Sequence, residues 1–116
     1  MAFADSLRFW AMITGIMRAG HTVFLISPRN SAPAVTHLLK IKSCSTVFAS
    51  DDTVTKELIQ EVVKLSESEL RILPVPQLED LFKPDDSTFV PLPPFSNELF
   101  EKPAIIAHSS GLVMFI

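Results

Sequence analysis

The sequence predicts an α/β protein, part of a layered fold in which helices flank a mainly parallel sheet. Two observations carry that expectation. Helical segments alternate with short runs of β-favouring residues along most of the chain. Those runs are continuously apolar, as in Thr22 to Ile26. That pattern belongs to strands buried on both faces of a parallel sheet, not to strands with one wet side.

A first helix is expected from about Ala4 to Ala19. Leu7, Trp10, Ala11, Thr14 and Met17 fall on one stripe by helical spacing. Phe3, Phe9, Met12, Ile13 and Ile16 make the other faces apolar too, so this helix suits the core of something large. Gly20 supplies its stop, with Arg18 beside the last carbonyls. Thr22 to Ile26 is the first strand. The turn Ser27-Pro28-Arg29-Asn30 follows, and Asn30 or Ser31 caps a second helix that carries Pro33 in its first turn. Val35, Leu38 and Leu39 form its apolar edge, and it ends near Lys42.

Cys44 to Ala49 is the next strand, and Asp51 and Asp52 cap a third helix from about Thr53 to Leu65. Val54, Leu58, Val62 and Leu65 are expected to line its buried face, with Lys56, Glu57, Gln60, Glu61 and Lys64 elsewhere. Leu70 to Val75 reads as a short strand and Gln77 to Phe82 as a helical turn. From Lys83 to Pro103 the chain is rich in proline, acid and serine without periodicity, a surface loop of roughly 20 residues. Ala104 to His108 is the closing strand, and five large apolar residues, Leu112 to Ile116, end the sequence. A βαβ unit wants a strand before the first helix, so the pattern looks truncated at both ends.

Composition limits the function classes. The net charge of −3 over 116 residues leaves no electrostatic footprint for nucleic acid or an anionic membrane. The apolar stretch Phe9 to Met17, flanked by Arg8 and Arg18, is too short to span a bilayer. With Asp5 near the start and no basic n-region, a secretory signal is not expected. The one cysteine, Cys44, cannot form an internal disulfide, which points to a reducing, cytoplasmic setting.

Three features bear on chemistry. His108-Ser109-Ser110-Gly111 follows the last strand, and small hydroxyl residues at a strand's carboxyl end suit phosphate. Taken alone, the four residues are a weak signal, and a plain strand-to-loop turn is the other reading. Arg29 stands at a helix start, where it is either an anion contact or a solvated arginine beside a cap. His21, His37 and His108 match no metal-ligand spacing, and no nucleophile–base pairing can be assembled, so neither metal ligands nor catalytic residues are expected.

Two stretches together resemble a known family. Ile16-Met17-Arg18-Ala19-Gly20-His21-Thr22-Val23-Phe24, continuing into Ile26-Ser27-Pro28-Arg29-Asn30-Ser31-Ala32-Pro33-Ala34-Val35, resembles the early region of adenylate-forming enzymes, the AMP-binding acyl-CoA synthetase-like superfamily. The Ile-Ser-Pro-Arg-Asn-Ser continuation looks most like the fungal adenylate-forming reductases related to aminoadipate reductase. Pro103-Ala104-Ile105-Ile106-Ala107-His108-Ser109-Ser110-Gly111 is similar to the strand entering that family's phosphate loop, whose pattern continues Ser-Thr-Gly-x-Pro-Lys-Pro. Leu112 to Ile116 depart from that continuation completely.

The resemblance implies a partial adenylation domain over residues 1–116, an N-terminal fragment whose parent uses ATP and Mg2+ to activate a carboxylic acid. Transfer to CoA or to carrier-domain phosphopantetheine would follow. His108, Ser109, Ser110 and Gly111 would be part of the ATP phosphate loop. The chain itself is expected to bind no cofactor and to be inactive, with exposed apolar surface around Phe9 and Trp10. A small non-catalytic α/β interaction module is the alternative.

Overall fold

The computed structural model describes the backbone of residues 3–82, 91, 94, 101–109 and 112–115, and the side chains of these apart from 3–5, 108–109 and 112–115. The proline-rich segment expected at about 83–103 lies largely outside the described residues. The described chain is α/β, with the expected alternation. It forms two compact units, one of Met1–Leu25 with Pro76–Ile116 and one of Ile26–Val75.

In the first unit, helix α1 (Phe3–Arg18) leads into strand β1 (Val23–Leu25). The helix stops where Gly20 takes a φ of 86°, which lets the His21 N–H donate to the Ile16 carbonyl and the Gly20 N–H to that of Met17. Among the described side chains of α1 the buried one is Ile13, while Leu7 and Trp10 of the expected stripe are exposed. On a helix apolar all round, spacing alone does not select the covered face. Helix α4, named here in chain order, is the single turn Leu78–Leu81, capped reciprocally by Gln77 and Asp80 and tied to α1 where Arg8 Nη1 donates to Gln77 Oε1 at 3.0 Å.

Strand β1 pairs in parallel with β4 (Ile105–Ser109), in the register Val23 with Ile105, Phe24 with Ile106 and Leu25 with Ala107. Val23 and Ile106 are the buried members and point to opposite faces, since successive strand residues alternate. The apolar tail forms a further strand, β5 (Leu112–Phe115), antiparallel to β4. This corrects the expectation that β4 closes the structure. Only Ser110 and Gly111 separate the partners Ser109 and Leu112, and so short a connection allows an antiparallel return but no parallel crossover.

In the second unit, β2 (Thr46–Ala49), α3 (Thr53–Leu65) and β3 (Arg71–Pro74) make a βαβ unit with parallel strands paired from Thr46–Arg71 to Ala49–Pro74. Helix α2 (Ala32–Ile41) precedes it. The core sets Ala32, Val35 and Leu39 of α2 against Val62 of α3, with Ile26, Cys44, Val47, Leu58 and Leu70 packed around them. Val54 and Leu65, expected on the buried face of α3, are exposed. The covered stripe is Thr55, Leu58, Ile59 and Val62, still at helical spacing but rotated from the expected one.

Candidate functional site

The residues singled out by sequence lie at strand ends. Because β1 and β4 are parallel, Leu25 and Ala107 are partners at the carboxyl edge of one sheet, the edge where α/β sheets take ligands. His108 and Ser109 are the last residues of β4, and their partners in β5 are Val113 and Leu112. Ser110 and Gly111 lie outside the described residues. Two of the four loop candidates are thus strand residues.

The start of β4 is anchored by a contact that sequence reading missed. Thr22 Oγ1 donates to the Pro103 carbonyl at 2.6 Å, and the Val23 N–H donates to the Ala104 carbonyl at 3.0 Å. A threonine before an apolar run reads only as β-favouring, so nothing marked it.

The second candidate, the turn before α2, is a hydrogen-bonded reverse turn. The Asn30 N–H and its side-chain Nδ2 both donate to the Ser27 carbonyl, at 3.2 and 3.1 Å, and the Arg29 N–H donates to Ser27 Oγ at 3.3 Å. Arg29 is exposed. Ser31 occupies the N-cap position in extended backbone, but its side chain makes no capping bond; Pro33, in the first turn, needs none.

The carboxyl end of β2 carries the densest polar network. Asp52 accepts from the Thr55 N–H at 2.9 Å as the N-cap of α3. Its other oxygen accepts from Ser50 Oγ at 2.6 Å, and Lys56 pairs with Asp51 at 2.6 Å. The Ser50 hydroxyl, with the Thr55 bonds, holds the Asp52 carboxyl down to about 2. These bonds all serve the helix start. The sequence marked the two aspartates as caps but not Ser50.

At the opposite, amino edge of β2 and β3 lies an open cleft of about 570 Å³, which spacing could not reveal because it gathers the ends of α2 and α3. Cys44 faces it, its thiol pushed up by burial against the pull of Lys42. The cleft's mouth carries the Lys40–Glu67 pair, 3.1 Å apart and largely solvated. His21 and His37 are exposed and lie in different elements. Among the described residues no group of three or more His, Cys, Asp or Glu is placed to hold a metal ion, and no helix is long and apolar enough to cross a membrane.

The described residues define an α/β protein in which His108 and Ser109 stand at the carboxyl end of a parallel strand. The chain is similar to adenylate-forming reductases over almost its whole length, as a fragment of that family would be. It is 31% identical over 122 aligned positions to Adenylate-forming reductase Nps10 of Heterobasidion annosum, covering 99% of this chain. It is 30% identical over 118 positions to Adenylate-forming reductase Nps9 of Serpula lacrymans var. lacrymans, covering 96%. A shorter match, 35% identical over 54 positions and 47% of the chain, is to Adenylate-forming reductase Nps11 of the same species. The chain spans 11% of the length of Nps10 and of Nps9 and 5% of Nps11. No protein-family model matches it. No solved structure matches it.

Proposed function

We propose that the chain is part of an AMP-binding adenylation domain. In the reaction, a carboxylate oxygen attacks the α-phosphorus of ATP, the bond to the bridging oxygen breaks, and acyl-adenylate and pyrophosphate form. The thiol of CoA or of a carrier's phosphopantetheine then attacks the acyl carbon, forming a thioester as the bond to the phosphate oxygen breaks and AMP leaves. The observation that carries this reading is the similarity to Nps10 across 99% of the chain.

We assign His108, Ser109, Ser110 and Gly111 to the start of the loop that holds the β- and γ-phosphates. Mg2+ would arrive with ATP and offset phosphate charge. No residue of this chain is assigned to catalysis or to metal ligation. In this reading the chain works in the cytoplasm, consistent with its single, half-buried cysteine.

Taken alone, the chain is proposed not to form acyl-adenylates. Leu112 to Ile116 supply neither a hydroxyl nor a glycine where the loop pattern continues, which supports this. Carboxylate-dependent ATP–pyrophosphate exchange by the purified chain is the test, and no exchange above background is expected. Robust exchange would overturn the inactive-fragment reading. Reading the coding DNA past the Ile116 codon separates this reading from a non-catalytic interaction module. An in-frame Ser-Thr-Gly-x-Pro-Lys favours the enzyme fragment, and its absence together with a stable monomer favours the module.

A further inference from the structure

Strand β1 has three residues, Val23, Phe24 and Leu25, and its partners are Ile105, Ile106 and Ala107. Register between strands is normally set by the alternation of apolar and polar residues, since a slip of one residue exchanges the two faces. Here every residue of both paired segments is apolar. A slip would replace one apolar pair by another, and three backbone pairs give little further resistance. The hydrophobic pattern therefore does not choose the observed register.

One polar feature at the amino end of the pair does choose it. The Thr22 hydroxyl donates to the Pro103 carbonyl at 2.6 Å, one residue outside the ladder on β1 and two outside it on β4. The hydroxyl bond holds the observed setting.

We infer that Thr22 is a positioning residue: its hydroxyl sets the register of β4 on β1, and so where His108 and Ser109 stand beyond the Leu25–Ala107 partners. The register statement needs only β1 and β4. Its bearing on a phosphate loop rests on the proposed function, and the experiment below uses no nucleotide, so the two can fail separately.

The test is NMR of the full chain with Thr22→Val and Thr22→Ser. Valine is a strong strand former without the hydroxyl, whereas serine keeps the hydroxyl with weaker strand preference. A role in strand preference alone ranks valine above serine; the positioning role ranks them the other way. In the wild type and in Thr22→Ser, backbone contacts between Phe24 and Ile106 are expected as a single set. In Thr22→Val, that set should weaken or be joined by contacts of Phe24 with shifted partners. Amide exchange at Ile105 to Ala107 should also quicken about fivefold, the net worth of one hydrogen bond. Ile13 methyl signals, from the same unit as Thr22, report that the variants are folded. Wild-type contacts and exchange in Thr22→Val, or equal disruption by serine, would overturn the inference.

Discussion

Gly20 and Ser43 close α1 and α2 with the same backbone motif, and only one of them is suited to it. At each site the chain turns through the left-handed region, with φ of 86° at Gly20 and 51° at Ser43. The Cys44 N–H donates to the Leu39 carbonyl at 2.9 Å and the Ser43 N–H to that of Lys40 at 3.1 Å, matching the bonds around Gly20. That conformation costs an L side chain roughly 1–2 kcal/mol, partly offset in a comparison with glycine by glycine's greater freedom when unfolded. Ser43→Gly is therefore expected to stabilise the chain by about 0.5–1 kcal/mol. A higher urea midpoint at unchanged slope would show it; a lower midpoint would mean the serine side chain holds the turn. Gly20 was legible because glycine is itself the signal for the motif, whereas serine carries no such mark. Asp52 yields a second prediction. Its folded value, about 2, lies below the ordinary 3.8. A lowered carboxyl adds stability that is present above the unfolded value and is lost as pH falls through the folded one. Urea midpoints should thus fall between about pH 4 and pH 2, and Asp52→Asn should flatten that slope while still capping α3. An unchanged slope in the asparagine variant would remove Asp52 from the account.

Elements α1 to β4 were legible in order and type; their covered faces were not. The bounds of α3 agree with expectation because Asp52 caps it and its polar residues fall away from the apolar ones. The expected stripe of Val54, Leu58, Val62 and Leu65 nevertheless turned toward Thr55 and Ile59. Val54 and Leu65 stay 66% and 50% exposed, while Val62, packed against Ala32, Val35 and Leu39 of α2, is fully covered. Periodicity gives the width of an apolar face but does not say which neighbour arrives to cover it. The same holds for α1, where Ile13 is covered and the Leu7–Trp10 stripe is not. Val62→Ala should cost about 1.5–3 kcal/mol, the value of a fully buried valine side chain. Val54→Ala should change stability by less than about 0.5 kcal/mol. Equal losses in urea unfolding would show that the packing at the middle of α3 is misassigned. Among the site candidates, the strand leading into His108 and Ser109 was legible from its apolar run. The return strand β5 was not, because five apolar residues in a row do not announce a hairpin.

The division of the chain into two units had no trace in composition. Its boundaries fall at Leu25–Ile26, inside what reads as one strand, and at Val75–Pro76, and neither is flanked by a linker of glycine or serine. Among the described residues, the two units differ in how their buried side chains gather. In Ile26–Val75, four buried residues form one cluster with five partly buried neighbours. In the other unit the buried apolar residues, among those described, are Ile13, Val23 and Ile106, on three different elements, while Leu7, Phe9 and Trp10 remain exposed. Small units with sparse cores are marginal, because little surface is removed from water to offset chain entropy. The unit that contains α1 should therefore unfold first. Trp10, the chain's one tryptophan, reports on it alone, its ring set edge-on to Phe9 at 5.9 Å between centroids. Far-UV circular dichroism reports on helices of both units. In urea, the Trp10 fluorescence transition should therefore be complete at a lower concentration than the dichroism transition, a departure from two-state behaviour. Ser43→Gly and Val62→Ala should move the later transition and leave the earlier one in place, since both residues belong to Ile26–Val75. Coincident transitions, or a shift of the fluorescence midpoint in either variant, would show that the two units fold as one.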